Sequence, residues 1–135
     1  MANGKTILVV DDEQDVRSYL AAVLGDAGYE IKTAENGKVA MEMVQAGAPD
    51  LISLDVTMPE KTGVRFYREM REDEATAGIP IIIVTGVVNP WASPDGTGTM
   101  KHFISSRRQI PAPEGFFEKP VDKEAYLARI AELLQ

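Results

Sequence analysis

A chain of 135 residues, of which 44% are hydrophobic and 26% charged, is long enough to form one domain with its own apolar core. It has no cysteine, which excludes disulfides, thiolate metal sites and cysteine nucleophiles, and its net charge of −7 argues against direct binding to nucleic acid. No apolar stretch approaches the roughly 18 residues of a membrane span, and the N-terminus lacks the apolar region of a signal peptide, so we expect a cytoplasmic protein without membrane contact.

The first half of the chain alternates short apolar runs with amphipathic segments. Apolar residues recur at helical spacing up to Ala27, where Gly28 is placed to end a first helix. Asn36 can cap a second helix, which is expected to end at Gly47. Strands are predicted before, between and after these two helices, over residues 5–10, 29–33 and 50–54.

The second half continues the alternation. Apolar side chains from Val64 to Met70 fit a third helix that closes near Gly78. The β-branched run over residues 80–84 is typical of a strand covered on both faces, and a weaker strand is predicted over 114–118. Asp122 then caps a last helix, which is apolar along one side.

Strands that alternate with helices predict an α/β fold. We expect three layers, with a doubly wound sheet of five parallel strands between helices on both faces. Ligands of such sheets bind at the carboxyl ends of the strands, near the point where the strand order reverses. If the order is 2-1-3-4-5, the first and third strands lie side by side and the residues that follow them converge.

Acidic residues follow these two strands. Asp11 and Asp12 close the apolar run Ile7–Val10, and Asp55 closes the run Leu51–Leu54. Carboxylates at the rim of a sheet repel one another and give up hydration, so such a cluster is costly unless a cation joins them. A hard divalent cation with oxygen ligands, such as Mg²⁺, fits this set.

Two further polar residues end strands of the predicted sheet, Thr85 and Lys119. Each residue has a plainer explanation when it is taken singly. Asp11 or Asp12 can cap the helix that follows, Asp55 can begin a loop, Thr85 can pack on its strand, and Lys119 can be a solvated lysine in a turn. Their joint position at four strand ends favours a functional site.

With these motifs the chain resembles the receiver domain of bacterial response regulators over residues 5–134, except for the stretch after Thr85. The resemblance implies the flavodoxin-like fold with the strand order 2-1-3-4-5. The motifs that carry it are the pair Asp11-Asp12, the string Asp55-Val56-Thr57-Met58-Pro59 followed by Gly63, Thr85-Gly86, and Phe117-Glu118-Lys119-Pro120.

The resemblance implies that Asp55 accepts a phosphoryl group from a sensor histidine kinase or a phosphotransfer protein. It also implies that Asp12 binds Mg²⁺ (or Mn²⁺) directly and Asp11 binds it through water, while Asp55 and the backbone carbonyl of Thr57 complete the protein's ligands. Phosphoryl transfer requires positioning and charge neutralisation, which a metal among carboxylates provides.

The resemblance further implies a conformational switch. Lys119 is expected to bind the phosphoryl group as a second cation, and the Thr85 hydroxyl to donate a hydrogen bond to it. Movement of Thr85 would vacate space that Phe116, the family's switch aromatic, rotates to fill. The alternative for Phe116 is an ordinary core aromatic.

The segment 86–113 departs from the family because it is longer than the usual region of the fourth helix. It carries a net charge of +2 in a chain with −7 overall. We expect a single domain over 1–135, with its core in 5–134. A helix is predicted within this segment, over residues 99–109. The candidate partner surface would meet an acidic partner and consists of Trp91, Lys101, Arg107 and Arg108. The alternative is that the segment folds back and buries Trp91 on its own helix.

The leading hypothesis is a stand-alone signalling module that is not an enzyme beyond its own phosphotransfer and autodephosphorylation. One alternative is a Mg²⁺-dependent phosphatase with an aspartate nucleophile, although Asp11 and Glu13 offer only a weak Asp-x-Asp pattern. Another is a degenerate receiver that acts as a binding scaffold. The sequence ends with the last helix, so we expect no output domain, unless the chain is excised from a longer regulator. The downstream protein and the oligomeric state stay open.

Overall fold

The computed structural model of the chain describes residues 4–55, 62–85, 113–119 and 121–134. Strands and helices alternate as predicted, which confirms the α/β class. The strands are β1 (Thr6–Val10), β2 (Glu30–Ala34), β3 (Leu51–Leu54), β4 (Ile81–Thr85) and β5 (Gly115–Glu118). The helices of the described residues are α1 (Gln14–Asp26), α2 (Gly37–Ala46), α3 (Thr62–Glu72) and α4 (Lys123–Leu133).

The five strands form one parallel sheet in the order β2-β1-β3-β4-β5, which confirms the predicted doubly wound, flavodoxin-like topology. β1 lies between β2 and β3, and Val10 pairs with Leu54 at the carboxyl ends of β1 and β3. The backbone N–H of Asp55 continues this ladder by donating to the carbonyl of Val10 at 2.9 Å. The register therefore fixes the end of β3 directly beside the end of β1.

Each face of the sheet has its own apolar core. Side chains alternate along β1, so that Leu8 and Val10 pack under α2 and α3, while Ile7 and Val9 pack under α1 and α4. Both faces of the central strands are thus covered, which is why these strands are continuous apolar runs. Burial of each large side chain stabilises the fold by about 1.5–3 kcal/mol.

A buried polar contact fixes α4 on the sheet. The hydroxyl of Tyr126 donates a hydrogen bond to the Ser53 hydroxyl at 2.7 Å, within an otherwise apolar face. Burial raises the pKa of Tyr126 far above its usual value, so the hydroxyl stays a donor. The ring also meets Phe117 edge to face, with centroids 5.6 Å apart. Ser53 lies two residues before Asp55, so the position of α4 is tied to the strand that carries this acid.

The predicted capping residues lie where the sequence indicates. Gly28 has a φ of 99°, a conformation that glycine adopts without steric cost, and it follows the end of α1. The Asn36 side chain accepts from the backbone N–H of Val39 at 2.8 Å, and α2 follows it. The Asp122 side chain accepts from two backbone N–H groups at the start of α4. These predictions are confirmed.

The predicted end of the third helix near Gly78 is wrong, because α3 ends at Glu72. The Asp73 side chain accepts from the backbone N–H of Ala75 at 3.0 Å and so favours a turn. The guanidinium of Arg71 binds carbonyls of the turn that follows α3. Arg71 Nη1 donates to the carbonyl oxygens of Ala77 at 2.8 Å and Ile79 at 3.1 Å.

Arg71 also joins α3 to the start of β5. Its side chain is only 2% exposed, and its Nη2 lies 2.5 Å from Oε1 of Glu114. The same carboxylate oxygen accepts from the backbone N–H of Ile81 at 2.8 Å, and the backbone carbonyl of Glu114 accepts from Arg129 Nε at 2.8 Å. Glu114 is therefore bound to α3, β4 and α4 at once. We call this set of contacts the Glu114 clamp.

Most of the segment 86–113 lies outside the described residues. The candidate partner surface falls there in full, and it stays a prediction. Within the ranges that the structure describes, no helix is both long enough and apolar enough to cross a membrane. The residues of that candidate surface are Trp91, Lys101, Arg107 and Arg108.

Candidate functional site

Three carboxylates meet at the carboxyl ends of β1 and β3. One oxygen from each of Asp11, Asp12 and Asp55 can be chosen so that all lie within 4.8 Å of one another. Asp11 is 1% exposed and Asp55 is 2% exposed, whereas Asp12 is open to solvent. The convergence follows from the ladder, because Asp55 N–H bonds to the end of β1 and Asp11 N–H bonds to the carbonyl of Ala34 in β2.

Lys119 brings a cation into this acidic cluster from the loop after β5. Its Nζ lies 2.9 Å from Oδ2 of Asp11, 3.1 Å from Oε1 of Glu13 and 3.4 Å from Oδ2 of Asp55. Partial burial alone would lower the pKa of Lys119. The contacts with Asp11 and Glu13 and the charge of Asp55 outweigh it and hold this pKa above its usual value. The side chain is therefore a permanent cation at the site.

Asp11 has one carboxylate oxygen with a hydrogen bond and one without. Its Oδ1 accepts from the backbone N–H of Glu13 at 2.9 Å. Its buried Oδ2 has no hydrogen bond among the described residues, since Lys119 approaches it at ion-pair distance but outside hydrogen-bonding geometry. Burial raises the pKa of Asp11, the bond from Glu13 and the ion pair with Lys119 oppose this, and the charge of Asp55 raises it further.

These observations fit a divalent cation. The Oδ2 of Asp11 is buried and, in the part of the chain that the structure describes, is balanced by Lys119 alone. A cation held at this edge, directly or through water, would further offset its charge. The donor set consists of carboxylate oxygens, which hard divalent ions prefer. The net charge of three acids against Lys119 also leaves an excess of negative charge for a cation to neutralise. The acidic cluster therefore indicates divalent metal binding.

Two contacts of the site were not predicted. Glu13 occupies the N-cap position of α1 but makes no side-chain cap hydrogen bond, and its carboxylate points to Lys119 instead. Arg17 Nη1 donates to the backbone carbonyl of Asp11 at 2.6 Å. The sequence places a third acid, Glu13, next to the pair Asp11-Asp12, but it does not show whether the Glu13 side chain faces the start of α1 or Lys119.

The remaining predicted site residues are described only in part. Thr85 is the last residue of β4, where it pairs with Glu118, and its side chain lies outside the described part of the chain. Thr57 lies outside it entirely. Phe116 pairs with Ile83 and packs, half-buried, against the core under α2 and α3. The switch roles of Thr85 and Phe116 stay predictions.

Replacement of Asp11 by Asn tests the electrostatic description. Without Mg²⁺ we expect the variant to be more stable than the native protein at pH 7 by about 1 kcal/mol, because burial and the charge of Asp55 outweigh the contacts of the Asp11 carboxylate with Glu13 and Lys119. The raised pKa fixes the sign of the pH effect. The ionised Asp11 carboxylate destabilises the native protein above its folded-state pKa, and this cost disappears as pH falls toward the ordinary pKa of 3.8. The stability difference between Asp11→Asn and the native protein should therefore shrink in acid.

Thermal unfolding with and without Mg²⁺ measures both effects. Mg²⁺ should raise the melting temperature of the native protein and have much less effect on Asp11→Asn. Asp50→Asn is the matched control, since Asp50 lies before β3, at the other end of that strand, where its Oδ2 accepts from Thr6 N–H. A smaller rise of the melting temperature by Mg²⁺ in the native protein than in Asp11→Asn would contradict the description.

The comparisons with known proteins agree with this site. The profile of the response regulator receiver domain matches residues 7–93. The chain is 31% identical to protein Rrf1 of Nitratidesulfovibrio vulgaris over 128 aligned residues. The aligned region covers 95% of this chain and 81% of that protein. Other curated relatives are longer than this chain, which spans 36% of the length of one of them and 25% of the length of another.

Solved structures show the same fold. The chemotaxis protein CheY4 of Vibrio cholerae is 29% identical with a TM-score of 0.78, covering 97% of this chain and 99% of that one. The response regulator TrrA of Thermotoga maritima, solved in complex with Mg²⁺-BeF, is 29% identical with a TM-score of 0.73, covering 96% and 99%. The family profile covers more than half of the chain and includes all three clustered acids. The chain therefore belongs to the response regulator receiver domains, the phosphoacceptor signalling modules of two-component systems.

Proposed function

We propose that Asp55 is the phosphoacceptor of this receiver domain. The observation that carries the proposal is the position of its carboxylate, which is 2% exposed, belongs to the three-acid cluster and has Oδ2 3.4 Å from Lys119 Nζ. A carboxylate that must attack an anionic phosphoryl donor requires positive charge beside it. Lys119 supplies a cation within reach of both the nucleophile and an incoming phosphoryl oxygen.

The reaction is a transfer from a phosphorylated donor to one oxygen of Asp55. The carboxylate attacks the phosphorus, a new P–O bond forms, and the bond between phosphorus and the donor's nitrogen or oxygen breaks. The leaving group takes that electron pair. Lys119 donates to a phosphoryl oxygen throughout, and the backbone bond from Asp55 N–H to Val10 keeps the nucleophile in place. The donor is a sensor histidine kinase or a phosphotransfer protein.

The proposed metal is Mg²⁺, with Mn²⁺ as the substitute. Asp11, Asp12 and Asp55 would hold it, with the backbone carbonyl of Thr57. The bound ion supplies neutralising charge for the phosphoryl oxygens. The complex of TrrA with Mg²⁺-BeF supports this assignment, because that relative holds a metal and a phosphoryl analogue together. The buried negative charges of Asp11 and Asp55, which Lys119 alone does not balance, support it as well.

The output is proposed to follow from the added charge. A phosphoryl group brings about −1.5 to −2 charges to the end of β3. Thr85 would bind it through its hydroxyl, and Phe116 would turn further into the core beside Ile83. The unidentified downstream protein would recognise the changed surface. We expect no turnover of external phosphate esters beyond the domain's own transfer and loss of one phosphoryl group.

Incubation of the native protein with acetyl phosphate tests this proposal. We expect the intact mass to rise by one phosphoryl group per chain in Mg²⁺ or Mn²⁺ and to stay unchanged in EDTA. The same samples report free phosphate, which separates the signalling module from a phosphatase. Stoichiometric labelling with slow release agrees with the proposal. Rapid release over many turnovers of small phosphate esters would favour the aspartate-nucleophile phosphatase, and labelling in EDTA would exclude the metal's role.

A further inference from the structure

One carboxylate at the site is not accounted for by metal binding or phosphoryl transfer. Of the three acids around the Lys119 ammonium, Asp11 and Asp55 belong to the metal cluster. The third, Glu13, contacts Lys119 Nζ at 3.1 Å from the solvent side, and its side chain is 63% exposed. The metal would neutralise the first two acids and leave Glu13 as an uncompensated competitor for the ammonium.

The backbone of Glu13 is fixed at the start of α1. Its N–H donates to Oδ1 of Asp11 at 2.9 Å, and its carbonyl accepts from the N–H of Arg17 at 3.0 Å. Residues at an N-cap usually turn an oxygen back to the helix, but the Glu13 side chain makes no such bond. The contact that the structure records for the Glu13 carboxylate is with Lys119, 106 positions away along the chain, and not with the start of α1.

The distances show where the lysine is held. Lys119 Nζ is closer to Asp11 and Glu13, at 2.9 and 3.1 Å, than to Asp55, at 3.4 Å. A phosphoryl group on Asp55 must draw the ammonium toward that residue. The contact with Asp11 weakens when a divalent ion takes up the Asp11 charge, but nothing in metal binding weakens the contact with Glu13.

We propose that Glu13 is a positioning residue that restrains Lys119 and opposes its contact with the phosphoryl group, so that the phosphorylated state forms at the expense of the Glu13–Lys119 ion pair. The inference rests on the proposed function of Asp55 and adds a regulator of that site. The Glu13 carboxylate is not one of the three clustered acids, and the bond from the Glu13 N–H to Asp11 is a backbone contact that a change of the Glu13 side chain leaves in place. The carboxylate acts through the lysine alone and lowers the affinity of the site for a phosphoryl group.

The test is the affinity of the full chain for beryllofluoride at saturating Mg²⁺, measured by calorimetry. Glu13→Gln and Glu13→Ser should both bind beryllofluoride about two- to fivefold more tightly than the native protein, as expected for release of a partly exposed ion pair. Serine is a favourable N-cap residue, so the second variant keeps α1 intact. Mg²⁺ affinity, measured without beryllofluoride, should stay unchanged or fall slightly.

Asp15→Asn is the matched control, because Asp15 lies in the same groove beside α1 but makes no contact with Lys119 that the structure records among the described residues. It should bind beryllofluoride like the native protein. Equal tightening in Asp15→Asn, or unchanged or weaker binding of beryllofluoride in both Glu13 variants, would overturn the inference. So would a loss of Mg²⁺ affinity in the Glu13 variants as large as their gain in affinity for beryllofluoride. Failure of the native protein to bind beryllofluoride would instead overturn the proposed function, and this inference with it.

Discussion

Asp55→Asn is expected to abolish phosphoryl labelling by acetyl phosphate in Mg²⁺. The amide has nearly the same size as the carboxylate, but it lacks the negative oxygen that attacks the phosphorus. Loss of labelling should exceed a hundredfold, because the amide at position 55 removes the proposed nucleophile, and Asp11 and Asp12 are proposed to hold the metal rather than to attack phosphorus. The fold should survive, since the change removes one of two buried acids that repel each other.

Intact-mass spectrometry of matched samples measures this effect. Asp50→Asn serves again as the control, because Asp50 bonds the backbone of Thr6 and its amide analogue keeps an acceptor oxygen there. It should label like the native protein. Thermal unfolding of both variants shows whether a loss of labelling reflects chemistry or unfolding. An Asp55→Asn protein that labels as the native protein does would exclude Asp55 as the phosphoacceptor.

The second large effect concerns the Glu114 clamp, the contacts that bind Glu114 to α3, β4 and α4. Glu114→Ala should lower the free energy of unfolding by about 3 kcal/mol, the lower end for a broken buried ion pair, because Glu114 itself is 32% exposed. The loss arises from Arg71, whose side chain is 2% exposed and would keep a charge without its carboxylate. The N–H of Ile81 also loses its acceptor.

Urea denaturation of Glu114→Ala, Glu114→Gln and Arg129→Ala resolves the contributions. Glu114→Gln keeps an acceptor for Ile81 and should lose less than Glu114→Ala. Arg129→Ala removes one partly exposed hydrogen bond to the Glu114 carbonyl and should cost only about 1 kcal/mol. The clamp lies before β5, at the amino end of that strand, whereas the three acids lie at the carboxyl ends of β1 and β3. Phosphoryl labelling below the melting temperature should therefore persist in all three variants. A stability of Glu114→Ala equal to that of the native protein would refute the clamp.

Local patterns were sufficient for much of the fold. Apolar runs such as Ile7–Val10 fit strands covered on both faces, and Gly28, Asn36 and Asp122 each mark a helix boundary through their own backbone or side-chain chemistry. The strand order followed from the α/β alternation and the resemblance together. With that order, the meeting of Asp11, Asp12 and Asp55 is a consequence of parallel strands ending at one edge.

Long-range polar contacts could not be predicted in the same way. Arg71 and Glu114 are 43 positions apart, and Lys119 and Glu13 are 106 apart, so no periodicity connects them. Arg71 lies on a predicted helix and has the sequence pattern of an exposed arginine, yet it is buried and donates to three acceptors around the end of α3 at Glu72. Only the assembled sheet shows which charged side chains share an enclosed space.

The most direct test of the central claim is the position of the phosphoryl group on the chain. The native protein is labelled with acetyl phosphate in Mg²⁺, reduced with borohydride, which converts an aspartyl phosphate to homoserine, and digested for peptide mass spectrometry. The account predicts homoserine at position 55 and unmodified aspartate at Asp11 and Asp12. Homoserine at Asp11 or Asp12, with Asp55 unchanged, would contradict it.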